Sequence, residues 1–129
     1  MATAKNSAEL SPTLEVEAFW KWLTVHPNCI LRAGTATTVL YDDDDLHWQL
    51  AADDPETYLV QVIRGKRLAG EILIARDPIS YVQSSAGEQD GEFVFELVVE
   101  SESEHATAYF FVVAHSYEVE EAETSGRVH

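Results

Sequence analysis

Residues 46–76 read LHWQLAADDPETYLVQVIRGKRLAGEILIAR. Apolar and polar side chains alternate through most of this stretch, the period of half-buried strands rather than of a helix. Leu46, Trp48 and Leu50 fall on one face, with His47 and Gln49 on the other. The alternation breaks at DDPE (53–56), where aspartate and proline supply turn chemistry. It breaks again at Gly65–Lys66, and glycine at the first position of a two-residue connection suits a type II′ hairpin. Successive strands joined by short turns predict an antiparallel meander.

The same period continues on both sides. Upstream, CILRA and TTVLY are separated by a turn near Gly34. Downstream, DPIS (77–80) leads into a short strand SYVQS, then a long polar loop SAGEQDGE, then two strong strands. In EFVFELVVES, Phe93, Phe95, Leu97 and Val99 share a face opposite Glu96 and Glu100. In HATAYFFVVAHSYE, Phe110, Val112 and Ala114 oppose Tyr109, Phe111 and Val113, so both faces are apolar. A strand apolar on both sides belongs in the middle of a sheet, with a cover on each face.

Only SPTLEVEAFWKWLTVHP (11–27) changes period. Val16, Phe19, Trp20 and Leu23 stand at i, i+3, i+4 and i+7, one apolar stripe of a helix, and Trp22 lies off it. Ser11 is placed to cap, Pro12 suits the first helical position, and His26 before Pro27 ends the helix. A helix of about 14 residues spans about 20 Å, enough to shield one face of roughly four strands. The expected fold is therefore α+β: one N-terminal amphipathic helix on a curved antiparallel meander sheet of about seven or eight strands. The sheet either curls around that helix or takes a second copy as further cover. Residues 1–10 are expected to be a disordered tail, 11–118 a single domain, and 119–129 a frayed acidic tail.

Charge narrows the partners. The 129 residues include 23 acidic against 8 basic side chains, a net −15. That field repels phosphate backbones and anionic lipid and favours basic protein surfaces or cations, so neither nucleic acid nor membrane is expected. The single cysteine, Cys29, fits a reducing compartment, and no apolar leader or span of about 18 residues is present. The expectation is a soluble cytoplasmic protein.

The motifs that would announce catalysis are missing: no G-x-S-x-G, HExxH, or glycine-rich phosphate loop. No catalytic residue, resident metal or cofactor is assigned. Asp42–Asp45 lacks the alternating ligands and glycine bend of a calcium loop. The run reads as a four-residue hairpin loop, with weak divalent-cation affinity as a side effect. His26 and Cys29, with His47 and His115, lack the paired second half of a zinc site. Glu71 and Glu96 stand on otherwise apolar strands, and Arg64, Lys66, Arg67 and Arg76 form the one basic island. The residues expected to meet a ligand or partner are Trp22, Trp48, His47, His115, Arg64, Lys66, Arg67 and Glu96.

In size and acidity the chain resembles, in outline, small secretion-type chaperones, although these carry further helices after the sheet. The first expectation for function is a non-enzymatic protein-binding, adaptor or chaperone-like module, with a second copy among the candidate partners. The second is a small-molecule-binding or weakly catalytic domain with a pocket between helix and sheet, using His47, His115 or Glu96. The third is a DNA mimic that occupies a basic protein.

Overall fold

A computed structural model describes residues 13–115. In chain order the elements are β1 (Thr13–Leu14), α1 (Val16–Thr24), a 3₁₀ turn (Pro27–Cys29), β2 (Ile30–Gly34), β3 (Val39–Tyr41) and β4 (Leu46–Asp54). There follow β5 (Thr57–Arg64), β6 (Arg67–Ala75), β7 (Tyr81–Ala86), β8 (Phe93–Glu100) and β9 (His105–Val113). One helix with antiparallel strands makes the fold α+β, as the periodicity implies. The tails expected at 1–10 and 119–129 lie outside the described residues.

The strands form two sheets, not one. A six-stranded sheet runs β1-β7-β8-β9-β2-β3, and a three-stranded sheet runs β4-β5-β6. The expected single sheet of seven or eight strands fails at Asp42–Asp45. These residues turn the chain, but they carry it from one sheet to the other and do not close a hairpin. The Asp42 N–H donates back to the Leu31 carbonyl at 3.0 Å, and the Leu46 N–H to the Asp43 carbonyl at 3.0 Å. The Trp48 indole N–H then donates to Asp42 Oδ1 at 3.2 Å, fixing the start of β4 against the end of β3. Alternation tells which residues share a face; it does not tell which strand lies alongside.

Within the three-stranded sheet the meander is as read. Arg64 pairs with Arg67 across Gly65–Lys66, and Gly65 has φ 65° while no non-glycine residue among those described has positive φ, as a type II′ turn requires.

The helix is shorter than expected. Thr13 and Leu14 are extended, paired with Gln83 and Val82 of β7, so helix begins only at Val16. Leu14 packs on the core from that extended position. Glu15 holds the N-cap site without a side-chain cap; Ser11 and Pro12 lie outside the described residues. The stripe Val16, Phe19, Trp20 and Leu23 is buried throughout. Phe19 meets Phe95 and Phe111 of the six-stranded sheet at ring distances of 5.1 and 5.6 Å. Trp20 stacks on Tyr58 of the three-stranded sheet at 4.2 Å and 2°. The helix thus touches both sheets, and one cluster joins it to Ile30, Val82, Phe95, Leu97 and Phe111 on one side and to Val60, Val62, Ile72 and Ile74 on the other. The Ala75 N–H donates to the Tyr109 hydroxyl at 3.3 Å, a direct bond between the sheets. Burial of each large apolar side chain in that cluster contributes about 1.5–3 kcal/mol.

Candidate functional site

The helix and second sheet lie on the inner face of the six-stranded sheet, and its outer face is exposed at the β3 edge. β9 is central, between β8 and β2, as its two apolar faces require. Register gives the composition of that outer face. One row crosses Gln83, Glu96, Phe110, Gly34 and Val39; the next crosses Ser85, Val94, Val112, Arg32 and Tyr41. Tyr41 is 61% exposed and Val39 39%. Val98 and Val112 are buried but stand outside the core cluster, on this opposite face.

At the β7 side the face dips into an open depression of about 320 Å³, lined by Tyr81, Gln83, Glu96, Val98, His105, Ala106 and Thr107. The Tyr81 hydroxyl is 3.3 Å from His105 Nδ1, and Glu100 Oε2 is 3.2 Å from the same nitrogen. One nitrogen serves only one of these bonds at a time: protonated, it donates to Glu100; bare, it accepts from the Tyr81 O–H. Elsewhere on the face Arg32 lies 3.5 Å from Glu92. Glu96, half-buried, has no hydrogen-bond or ion-pair partner among the described residues.

The other candidate residues fall into separate places. His47, Arg64, Lys66 and Arg67 lie at one end of the three-stranded sheet but not on one face: Arg64 and Arg67 stand on the side of Trp48 and Val62, His47 on the opposite side. There Leu46, Arg64 and Arg67 form one row and His47, Ile63 and Leu68 the next. Arg76 does not belong to this island. It follows the far end of β6 and bonds Glu17 on the helix at 2.9 Å. Arg64, Lys66 and Arg67 are exposed and make no ion pair among the described residues. Changing all three to glutamine is therefore expected to move the urea-unfolding free energy by no more than about 0.5 kcal/mol per site. A loss of several kcal/mol in that measurement would show that the cations hold the hairpin together.

Trp22 and His115 do meet. Trp22 stacks on His26 at 4.6 Å, His26 lies 4.9 Å from His115, and Trp22 lies 6.2 Å from His115. His26 Nδ1 bonds the Trp22 carbonyl at 2.8 Å. Among the described residues no three or more His, Cys, Asp or Glu side chains gather as a metal-ligating set. Trp48 lies in the core, 7% exposed. Glu71 points outward from the three-stranded sheet and accepts from Gln61 Nε2 at 2.6 Å, while Gln61 accepts from Gln49 at 3.1 Å. Of the depression's lining, sequence reading singled out Glu96 and left Gln83, His105 and Thr107 without a role. Strand pairing, which periodicity does not encode, is what places them beside it.

Comparison with family models, with curated proteins and with solved structures finds no match. Among the described residues no helix is long and apolar enough to cross a membrane.

Proposed function

We propose that this protein is a non-enzymatic protein-binding module whose contact surface is the outer face of the six-stranded sheet, and that its partner is basic. The observation that carries this reading is that face itself. Exposed Tyr41 and Val39 and half-buried Phe110 and Val94 lie among carboxylates at Glu96 and Glu100. Apolar surface supplies affinity, and complementary charge supplies orientation and speed of encounter. A net −15 draws in a basic partner and disfavours a second copy of the chain.

A pocket between helix and sheet using His47, His115 or Glu96 is less favoured, because the depression that holds Glu96 opens on the sheet face away from the helix. The DNA-mimic reading is less favoured because most of the described acids are divided among separate segments at 42–45, 53–56, 88–92 and 100–104.

The test compares capture from native lysate by the wild type, by V39S/Y41S on this face, and by L68S/L73S on the other sheet. Leu68 and Leu73 are 53% and 57% exposed, so the control removes comparable apolar surface. The wild type and the control are expected to retain the same basic proteins, and V39S/Y41S to lose them. Raising salt to about 0.5 M should release them as well, since screening shortens the reach of the charges. Equal retention by all three proteins, or a retained set that is acidic, contradicts the reading.

A further inference from the structure

We infer that the depression around Glu96 is a seat for an organic cation: the guanidinium or ammonium head of an arginine or lysine side chain, or of a free alkylamine. The inference deepens the protein-binding reading by naming the group that the partner would insert, and rests on that reading only for the cation's source.

Three carboxylates of or beside β8 face this side of the sheet, and they differ in what neutralises them. Glu92 has Arg32 at 3.5 Å and Glu100 has His105 at 3.2 Å. Glu96 stands between Gln83 and Phe110 in register, half-buried, and makes no hydrogen bond or ion pair among the described residues. A carboxylate partly withdrawn from water and left unpaired is destabilising, and a charge-assisted hydrogen bond from a ligand relieves that cost. Its surroundings select the sign of the ligand. The lining holds no lysine or arginine. The Gln83 amide and the Thr107 and Tyr81 hydroxyls, donors as well as acceptors, each have an oxygen that can accept from a cation held at Glu96. Val98 and Ala106 supply apolar surface for a methylene stem, the part of lysine or arginine that lies along such surface while the head seeks polar partners.

Size agrees with this. A depression of about 320 Å³ takes a cationic head and its stem. Glu96 and Glu100 are four residues apart on one strand, about 13 Å between Cα atoms at the usual rise. A single head therefore engages Glu96 alone. Anions are excluded by the same carboxylate and by the charge of the whole chain.

The experiment follows backbone amide shifts of the ¹⁵N-labelled full chain at low salt, titrated with N-acetylarginine amide, butylamine, the neutral N-acetylcitrulline amide, and an Arg/Lys-rich peptide. Saturable shifts centred on Gln83, Glu96, Val98 and Thr107 are expected with the two small cations and not with the citrulline compound. Glu96→Gln should weaken binding by about tenfold or more, the scale of a lost charge-assisted bond. Glu71→Gln on the other sheet should leave it unchanged. Glu96→Gln should melt no lower than the wild type, because Glu96 holds no structural partner and the substitution removes an unpaired, half-buried charge. Absence of saturable shifts with either cation, equal binding by Glu96→Gln, or equal binding of citrulline overturns the seat. A peptide that binds over Val39 and Tyr41, with neither it nor any small cation moving Glu96, overturns the seat while the protein-binding reading survives. Small cations that bind where the peptide does not would uphold the seat with a free amine as its source, and the protein-binding reading would fall.

Discussion

Replacing Phe19 by alanine is expected to lower the unfolding free energy by about 3–5 kcal/mol, the range for deleting a fully buried phenylalanine ring. Phe19 is 1% exposed and lies against Phe95, Phe111 and Trp22, with ring centroids at 5.1, 5.6 and 6.2 Å. Its two sheet contacts come from adjacent central strands, β8 and β9, so no single side chain can swing in to refill the space. The helix that carries it also carries Trp20, stacked on the other sheet. A void under Phe19 therefore loosens an α-helix whose side chains reach both sheets. Single domains have total stabilities of about 5–15 kcal/mol, so the variant should be close to its unfolding midpoint in mild urea. Val25→Ala on the same helix end, 72% exposed, should stay within about 0.5 kcal/mol of the wild type. If Phe19→Ala costs less than about 1 kcal/mol in the same urea titration, the helix is not the plug between the sheets.

The helix was legible because its code is local. Val16, Phe19, Trp20 and Leu23 lie within two turns, and every one of them is buried. The Gly65–Lys66 turn was legible for the same reason: a two-residue connection constrains its own φ values. The central place of β9 could be read because two apolar faces have few other solutions. What failed is nonlocal. Pairing between β2 and β9 joins residues about eighty positions apart, and nothing in either segment names the other. The division into two sheets rests on Asp42–Asp45, which looks the same in sequence whether it closes a hairpin or hands the chain across. The N-terminal boundary of the helix failed because Thr13–Leu14 found a strand partner in β7, and tertiary pairing outweighed the attraction of Pro12 for a helix start.

The site follows the same division. Glu96 stood out as a carboxylate on an apolar strand, a property of one segment. Gln83, His105 and Thr107 are ordinary within their own segments and gain meaning only where β7, β8 and β9 lie together. The basic hairpin was three-quarters right: Arg64, Lys66 and Arg67 cluster at its tip. Arg76 was grouped with them by proximity in sequence, but nine residues of strand carry it to the opposite end of the sheet. The three tip cations make no ion pair among the described residues.

Gly34→Ala is expected to be the second severe substitution, and it joins stability to the proposed contact face. Gly34 ends β2, pairing with Val39 on β3 and with Phe110 on β9. A Cβ there would fall inside the contact distance of the Thr38 carbonyl oxygen, 3.0 Å from the Val39 Cα and 3.1 Å from the Phe110 ring. The first two neighbours are backbone and cannot rotate away. The Thr38 carbonyl is moreover held by the Thr35 N–H at 2.8 Å, and Thr35 Oγ1 accepts from the N–H groups of Thr37 and Thr38 at 3.2 Å each. One methyl must therefore push the whole turn outward or peel β3 from β2, at a cost of about 3 kcal/mol, the upper part of the overpacking range. The damage should be local as well as global. β3 is three residues long, carries Val39 and Tyr41, and leads into Asp42, the acceptor for Trp48. Hydrogen exchange in Gly34→Ala should accelerate at Leu40 and Tyr41 before it does in β8 or β9, and partner retention should fall as it does for V39S/Y41S. Gly65→Ala is the contrast: its positive φ costs about 1–2 kcal/mol, its Cβ meets nothing within 4 Å, and partner retention should persist. If Gly34→Ala melts like the wild type and β3 exchanges no faster, the β2–β3 hairpin does not close as described and Val39 and Tyr41 do not belong to the face that binds.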